Sequence, residues 1–316
     1  MKRQMPIEEL VAEMSHCIDA IASMEKEGDH IPRLNQVKTV ACVDATFEVH
    51  EDIPDELKKG LFAKPASYPA KLRFANATSL DDSEKDIRGL SLRVSGVEGD
   101  VLWGEPGKQD FLLNSYPALF VATPEEFLAF IQARLHNKKL WFFLNPFAPH
   151  LKSLWIVIQS RKKHLCPFDV RYWSTVPFRL GMDGDLAVKY SVIPCSDYQT
   201  SQAVEPGHHQ LRAAIRAHLK NGPARFHFAI QKQSDPLSMP IEDASVIWDE
   251  TISPFQSVAT ITIQDQDFDG PEELSACERS SFNPWQSLAD HEPLGRMNAV
   301  RRLVYAHAAA MRNQSQ

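Results

Sequence analysis

The sequence predicts an α+β protein in which an antiparallel sheet or barrel is decorated by helices. Three observations predict it. Apolar residues recur at helical spacing near both ends of the chain. Short alternating apolar segments, divided by turn residues, fill the stretch between. Those segments lack the regular strand–helix alternation of a doubly wound fold. No clean linker, repeat or low-complexity segment divides the chain, so a single domain is expected over 31–316, after a helical extension over 1–30.

Taken in order, Ile7, Leu10, Val11, Met14, Ile18 and Ile21 predict an amphipathic helix over 7–24. After the Gly28 break, Val37–Val49, Ala70–Ala75, Ile87–Val94 and Phe111–Leu113 read as strands, with Asp81–Asp86 a solvated acidic loop. Thr123-Pro124-Glu125-Glu126 is a helix start: a Thr cap, Pro in the first turn and Glu three residues after the cap. That helix should run through Phe127, Phe130 and Ile131. Residues 141–222 mix aromatic-rich helical stretches with a strand over Ala187–Ile193. Ala224–Gln231 and Ser257–Ile263 supply two more strands, and Leu294–Met311 a closing helix.

Composition narrows the function classes. With 316 residues the chain can bury a substantial core, and 43% apolar and 24% charged residues are ordinary for a globular protein. A net charge of −7 argues against a general nucleic-acid binder. No apolar run approaches the roughly 18 residues of a membrane span. The N-terminus turns acidic where a secretory apolar region would begin, so a cytoplasmic location is expected. Five scattered cysteines suggest neither a disulfide scaffold nor a zinc knuckle. Dinucleotide, P-loop, zinc-protease and nucleophile-elbow motifs are absent from the sequence, and no non-haem metal site is expected. The adjacent His208 and His209 would point about 100° apart on a helix, which suits a surface or capping role better than chelation.

The most informative stretch is Phe282-Asn283-Pro284-Trp285, then His291-Glu292-Pro293-Leu294-Gly295, then Arg301-Arg302-Leu303-Val304-Tyr305 and Arg312. On a helix Arg301 and Tyr305 stack at i and i+4. A guanidinium beside a phenol favours the phenolate, which is what a tyrosinate iron ligand needs. Arg312 follows two turns later on the same face. By spacing alone, a surface helix with arginines and one half-buried Tyr is the preferred reading.

This run resembles the end of the small catalase-related haem proteins, which include minimal catalase-like peroxidases and coral-type allene oxide synthase domains. Further segments match that superfamily in order. Arg33-Leu34-Asn35-Gln36-Val37-Lys38 and Ala45-Thr46-Phe47-Glu48-Val49 come first. Tyr68-Pro69-Ala70 with Arg73-Phe74-Ala75-Asn76, then Asp86-Ile87-Arg88-Gly89-Leu90, come next. Gln109-Asp110-Phe111 with Asn114-Ser115-Tyr116-Pro117 follows. The resemblance implies a catalase-like antiparallel barrel, with haem b buried between barrel and C-terminal helix and its ferric iron held by an axial tyrosinate. It makes Tyr305 the iron ligand and Arg301 its charge partner. It makes Arg33, Arg73 and Arg312 the propionate partners, Asn114 the distal amide, and Phe127 a ring lining the haem.

One position departs from the pattern. Where the resemblance calls for the distal histidine, this chain has Gln36, with a second amide, Asn35, beside it. A carboxamide donates and accepts hydrogen bonds but does not titrate, so it orients a ligand without shuttling a proton. His30 lies six residues upstream, roughly 20 Å of extended chain, and His50 farther downstream. The resemblance therefore implies a haem-dependent enzyme acting on an organic or fatty-acid hydroperoxide, with weak or no catalase activity. A haem-dependent lyase, dehydratase or oxygenase on a specialised metabolite, or a non-catalytic haem-binding sensor, is the alternative. The partner expected is a small-molecule substrate, with a homodimer as the oligomeric guess.

Overall fold

The computed structural model describes residues 4–26, 28, 31–182, 186–201 and 203–314, with the Gln314 side chain left aside. His30 lies outside the described residues. The chain enters through α1 (Ile7–Glu25) and then lays down four consecutive antiparallel strands: β1 (Lys38–Val49), β2 (Ser67–Asn76), β3 (Arg88–Ser95) and β4 (Lys108–Asn114). Three helices follow, α2 (Pro124–Leu135), α3 (Lys139–Leu144) and α4 (Leu151–Ser160). Two short strands, β5 (Tyr172–Trp173) and β6 (Phe178–Arg179), precede β7 (Ala187–Pro194). Then come α5 (Gln210–Asn221), β8 (Ala224–Lys232), β9 (Gln256–Ile263), α6 (Pro271–Arg279) and α7 (Gly295–Gln314).

The strands close on themselves. β1 pairs with both β2 and β9, β4 continues to β5, and β5 pairs with β7, completing an eight-strand ring with β6 flanking β7. Closure removes the open edges that a sheet would otherwise expose. The interior is packed with rings rather than hollow. Phe111 meets Phe228 at 4.8 Å and Tyr190 at 5.0 Å between ring centres, and Phe74 meets Phe168 at 5.2 Å. A barrel of this strand number is just wide enough for side chains to fill. Any large ligand must therefore sit outside it.

A second apolar cluster lies outside the barrel, where Leu10, Met14, Cys17, Ile18 and Ile21 of α1 pack on Leu128 and Ile131 of α2 and on Val300 and Val304 of α7. The α2 start is as its sequence predicts: the Thr123 hydroxyl accepts the Glu126 N–H at 3.3 Å, and the Glu126 carboxylate accepts the Ala122 N–H at 2.9 Å.

Three expectations change. The Asp81–Asp86 loop is not simply solvated, because Asp82 and Asp86 are buried. Lys38 reaches Asp82 at 2.7 Å, Asn76 donates to Asp82 at 2.8 Å, and the Asp86 carboxylate accepts from the Thr78 and Ser79 backbones. Burial is tolerated because each carboxylate is bonded. The cysteines do pair once: Cys42 of β1 is joined to Cys277 of α6, with Cα atoms 6.1 Å apart across 235 residues. Sequence spacing could not show that proximity. The third change is α6 itself, which no apolar periodicity announces.

Candidate functional site

The loop entering β1 carries the first group of residues. Gln36 has a φ of +56°, the left-handed region that non-glycine residues rarely occupy. Its backbone is held there on both sides. The Gln36 N–H donates to Ala77 O and to the Asn35 side-chain oxygen, each at 3.0 Å, and its carbonyl accepts from Arg73 at 2.9 Å. The Gln36 side chain lies over β3 at Gly89, where a Cβ would stand 2.0 Å from its Oε1. Glycine is required for that close approach. Gln36 Nε2 donates to Asn114 Oδ1 at 3.1 Å, and Gly89 and Asn114 are direct cross-strand partners. Gln36 Oε1 is buried with no hydrogen-bond partner. An orphaned acceptor of this kind calls for an absent donor.

The second group is cationic. Arg33 donates to the Glu278 carboxylate at 3.1 Å and to the carbonyls of Glu278 and Ser280 at 2.9 and 2.7 Å. Arg73 bonds Thr39 at 3.0 Å, and Thr39 in turn bonds Glu278. Arg312, from the far end of α7, donates to Ser280 O at 3.1 Å and Ser281 Oγ at 3.2 Å. Three guanidiniums thus share the neighbourhood of one carboxylate. Burial, with Arg33 and Arg312 nearby, pushes the Arg73 guanidinium down to about 9, despite Glu278. Burial and Arg33 lower Arg312 to about 10. Burial works to raise Glu278, but the Thr39 hydroxyl, Arg73 and Arg33 outweigh it and hold its carboxyl below the usual range.

The third group sits on α7. The Arg301 guanidinium lies 5.1 Å from the Tyr305 ring centre and 3.4 Å from its hydroxyl, as the i, i+4 spacing predicts. Arg301 is fixed by Asn298 Oδ1 at 3.0 Å. Asn298 is fully buried and donates to Pro177 O at 3.0 Å, which ties the start of α7 to the barrel.

The structure therefore joins Gln36 with Asn114, Arg33 and Arg73 with Arg312 around Glu278, and Arg301 with Tyr305. Among the described residues no direct hydrogen bond links Tyr305 to Gln36 or Asn114. Leu34 and Phe127 pack against the second apolar cluster, to which Val304 of α7 belongs. Phe127 is half-buried and belongs to both apolar clusters. Asn35 is exposed, and its amide oxygen is taken by the Gln36 N–H, so it caps the turn rather than joining the Gln36–Asn114 pair. His50 bonds Thr260 at 2.8 Å at the other end of β1, far from Gln36 in register.

Sequence reasoning missed Glu278, which lies 245 residues from Arg33 with no spacing signal. It also missed Cys166, Asp169 and His218, whose donor atoms gather within 4.8 Å of one another beside α5.

No protein-family model matches the chain, and no curated protein matches it. Solved structures do. Catalase A from Saccharomyces cerevisiae is similar with a TM-score of 0.69 and 16% identity, over 94% of this chain and 63% of that one. A bacterial catalase gives 0.68 and 15% over 94% of this chain and 60% of its own. A fungal catalase gives 0.67 and 15% over 90% and 60%. The chain thus has a catalase-like α+β fold, the antiparallel barrel with surrounding helices, and spans about three fifths of the length of those catalases.

Proposed function

We propose that this chain is a haem-dependent enzyme of the small catalase-related kind, acting on an organic or fatty-acid hydroperoxide and having little ordinary catalase activity. One observation carries the reading: Gln36 and Asn114 form a bonded amide pair with a buried, partnerless acceptor, on the same loop and sheet that hold the arginine cluster. The residues present fit haem b. Arg33, Arg73 and Arg312 would meet its propionates, a guanidinium fork matching a carboxylate. Tyr305 would ligate the iron as tyrosinate with Arg301 as charge partner, and Phe127 would pack against the macrocycle.

When bound, ferric haem would supply one-electron cleavage of a peroxide O–O bond. The chain's own residues bind and orient. Asn114 Oδ1 accepts from Gln36, and Gln36 Oε1, now buried against Gly89, would turn outward to accept a hydrogen bond from a hydroperoxide O–H. Neither amide takes up that proton near neutrality. General acid–base help is worth about 10² to 10⁴ in rate, so disproportionation of hydrogen peroxide suffers most.

The test is reconstitution with haem followed by absorbance. A Soret band that shifts in Tyr305→Phe, with turnover of a fatty-acid hydroperoxide far above that of hydrogen peroxide, is expected. No Soret band after reconstitution removes the cofactor reading, and fast hydrogen peroxide turnover removes the assigned role of Gln36.

A further inference from the structure

The α3–α4 hairpin carries apolar residues on its outer face as well as its inner one. α4 buries Ser153, Ile156 and Ser160 and turns Leu151, Trp155 and Ile158 outward. Leu154 and Val157 pack inward beside Ile156, whereas the outer face of an ordinary surface helix is polar. α3 and the connection continue the same face: Leu140 is 74% exposed, Phe147 92% and Ile158 62%, with Trp141 and Leu144 beside them. Exposed apolar residues scattered singly need no explanation, but a contiguous set on one hairpin does.

Charge identifies the occupant. Between Glu126 and Asp169 the sequence has no acidic residue and seven basic ones, from Arg134 to Lys163, in a chain whose net charge is −7. Lys138, Lys139, Lys162 and Lys163 are exposed, and among the described residues none pairs with a carboxylate. Solvent-facing Trp and Leu flanked by lysines are the composition of an interfacial membrane element. A second copy pairing through the same hairpin would match Trp141, Phe147 and Trp155 but would set its lysines against those of the first.

We propose that the α3–α4 hairpin is a peripheral docking surface for an anionic lipid bilayer, with Trp141, Phe147 and Trp155 entering the headgroup region and the flanking lysines meeting lipid phosphates. A cleft of about 270 Å³ opens at its base between α2 and α3, lined by Ala129, Ala133, Trp141 and Phe142 with His136 and Lys138 at the rim. It offers an acyl chain a place to leave the bilayer. The link from that chain to a hydroperoxide substrate rests on the haem reading above, whereas docking itself does not.

The experiment is co-sedimentation of the haem-free full chain with vesicles of phosphatidylcholine alone or containing phosphatidylglycerol. Binding to the anionic vesicles, weakened about fivefold for each lysine removed in Lys162→Ala and Lys163→Ala, is expected. Brominated lipids should quench tryptophan fluorescence in the wild type and less in Trp155→Phe. These residues are exposed, and far-ultraviolet circular dichroism checks that the variants fold. Equal binding to both vesicle types, no binding to either, or a dimer in sedimentation equilibrium that Phe147→Ser dissolves would overturn the proposal. Vesicle binding without a Soret band on reconstitution would leave docking standing and remove the haem reading alone.

Discussion

His291→Gln should flatten the acid sensitivity of this fold, and the size of the effect follows from the geometry. His291 is buried between the barrel and the loop preceding α7. Its Nε2 accepts the Leu61 N–H at 3.0 Å, a bond that a backbone amide can make only as donor. In the neutral ring the proton is therefore on Nδ1, which donates to Tyr190 Oη at 2.9 Å. A second proton would have to sit on Nε2 against the Leu61 amide. Burial pushes the imidazole down to about 3 from an ordinary value near 6.5. The native state stays neutral while the unfolded chain takes up a proton below about pH 6.5, so the stabilisation is complete above that value and lost as pH falls toward 3. The slope is about 1.4 kcal/mol per pH unit, giving about 2 kcal/mol by about pH 5 and at most about 5 kcal/mol in all. Urea unfolding at about pH 7.5 and about pH 5 measures the gap between wild type and His291→Gln. The gap should narrow by about 2 kcal/mol on acidification, because other titrating groups are common to both proteins. A constant gap would refute a neutral, doubly bonded His291.

Other substitutions test other parts of the structure. Gly89→Ala places a methyl 2.0 Å from Gln36 Oε1 and should displace the side chain from Asn114 at a cost of about 1–3 kcal/mol, read by denaturation and by loss of the Gln36–Asn114 bond in a crystal structure. Glu278→Gln removes the carboxylate that three arginines share. Its partial exposure moderates the loss to about 1–2 kcal/mol, and added sulfate should restore melting temperature in the variant more than in the wild type. Reduction of Cys42–Cys277 should lower the melting temperature, the chain-entropy model giving about 5 kcal/mol, while Cys42→Ser should not respond to the reductant.

The elements that repeat a period were legible in the sequence. α1, α2 and α7 fall within about three residues of their apolar patterns, and β1–β4 and β7–β9 follow their alternation. Arg301 and Tyr305 were legible because helical geometry alone brings them together. Asn114 and Gln36 needed the register of β3 and β4 and an unusual φ at Gln36, so only resemblance could pair them. Glu278, Cys277 and the packing of Asp82 against Lys38 and Asn76 depend on contacts between distant segments, and no local spacing encodes them. The outward apolar face of α4 was hidden for a different reason. Its periodicity is ordinary, and only the fold reveals which side faces solvent.

The Cys42–Cys277 bond makes most of the chain a covalent ring. The ring contains β2–β9 and α2–α5, while α1, Arg33 and Gln36 lie on one tail and Arg301, Tyr305 and Arg312 on the other. The two tails grip each other through α1 and α7. Each tail is also pinned back onto the ring, Gln36 by Arg73 and Asn114 and α7 by the Asn298–Pro177 bond, so the oxidised chain is a closed band with both loose ends fastened down.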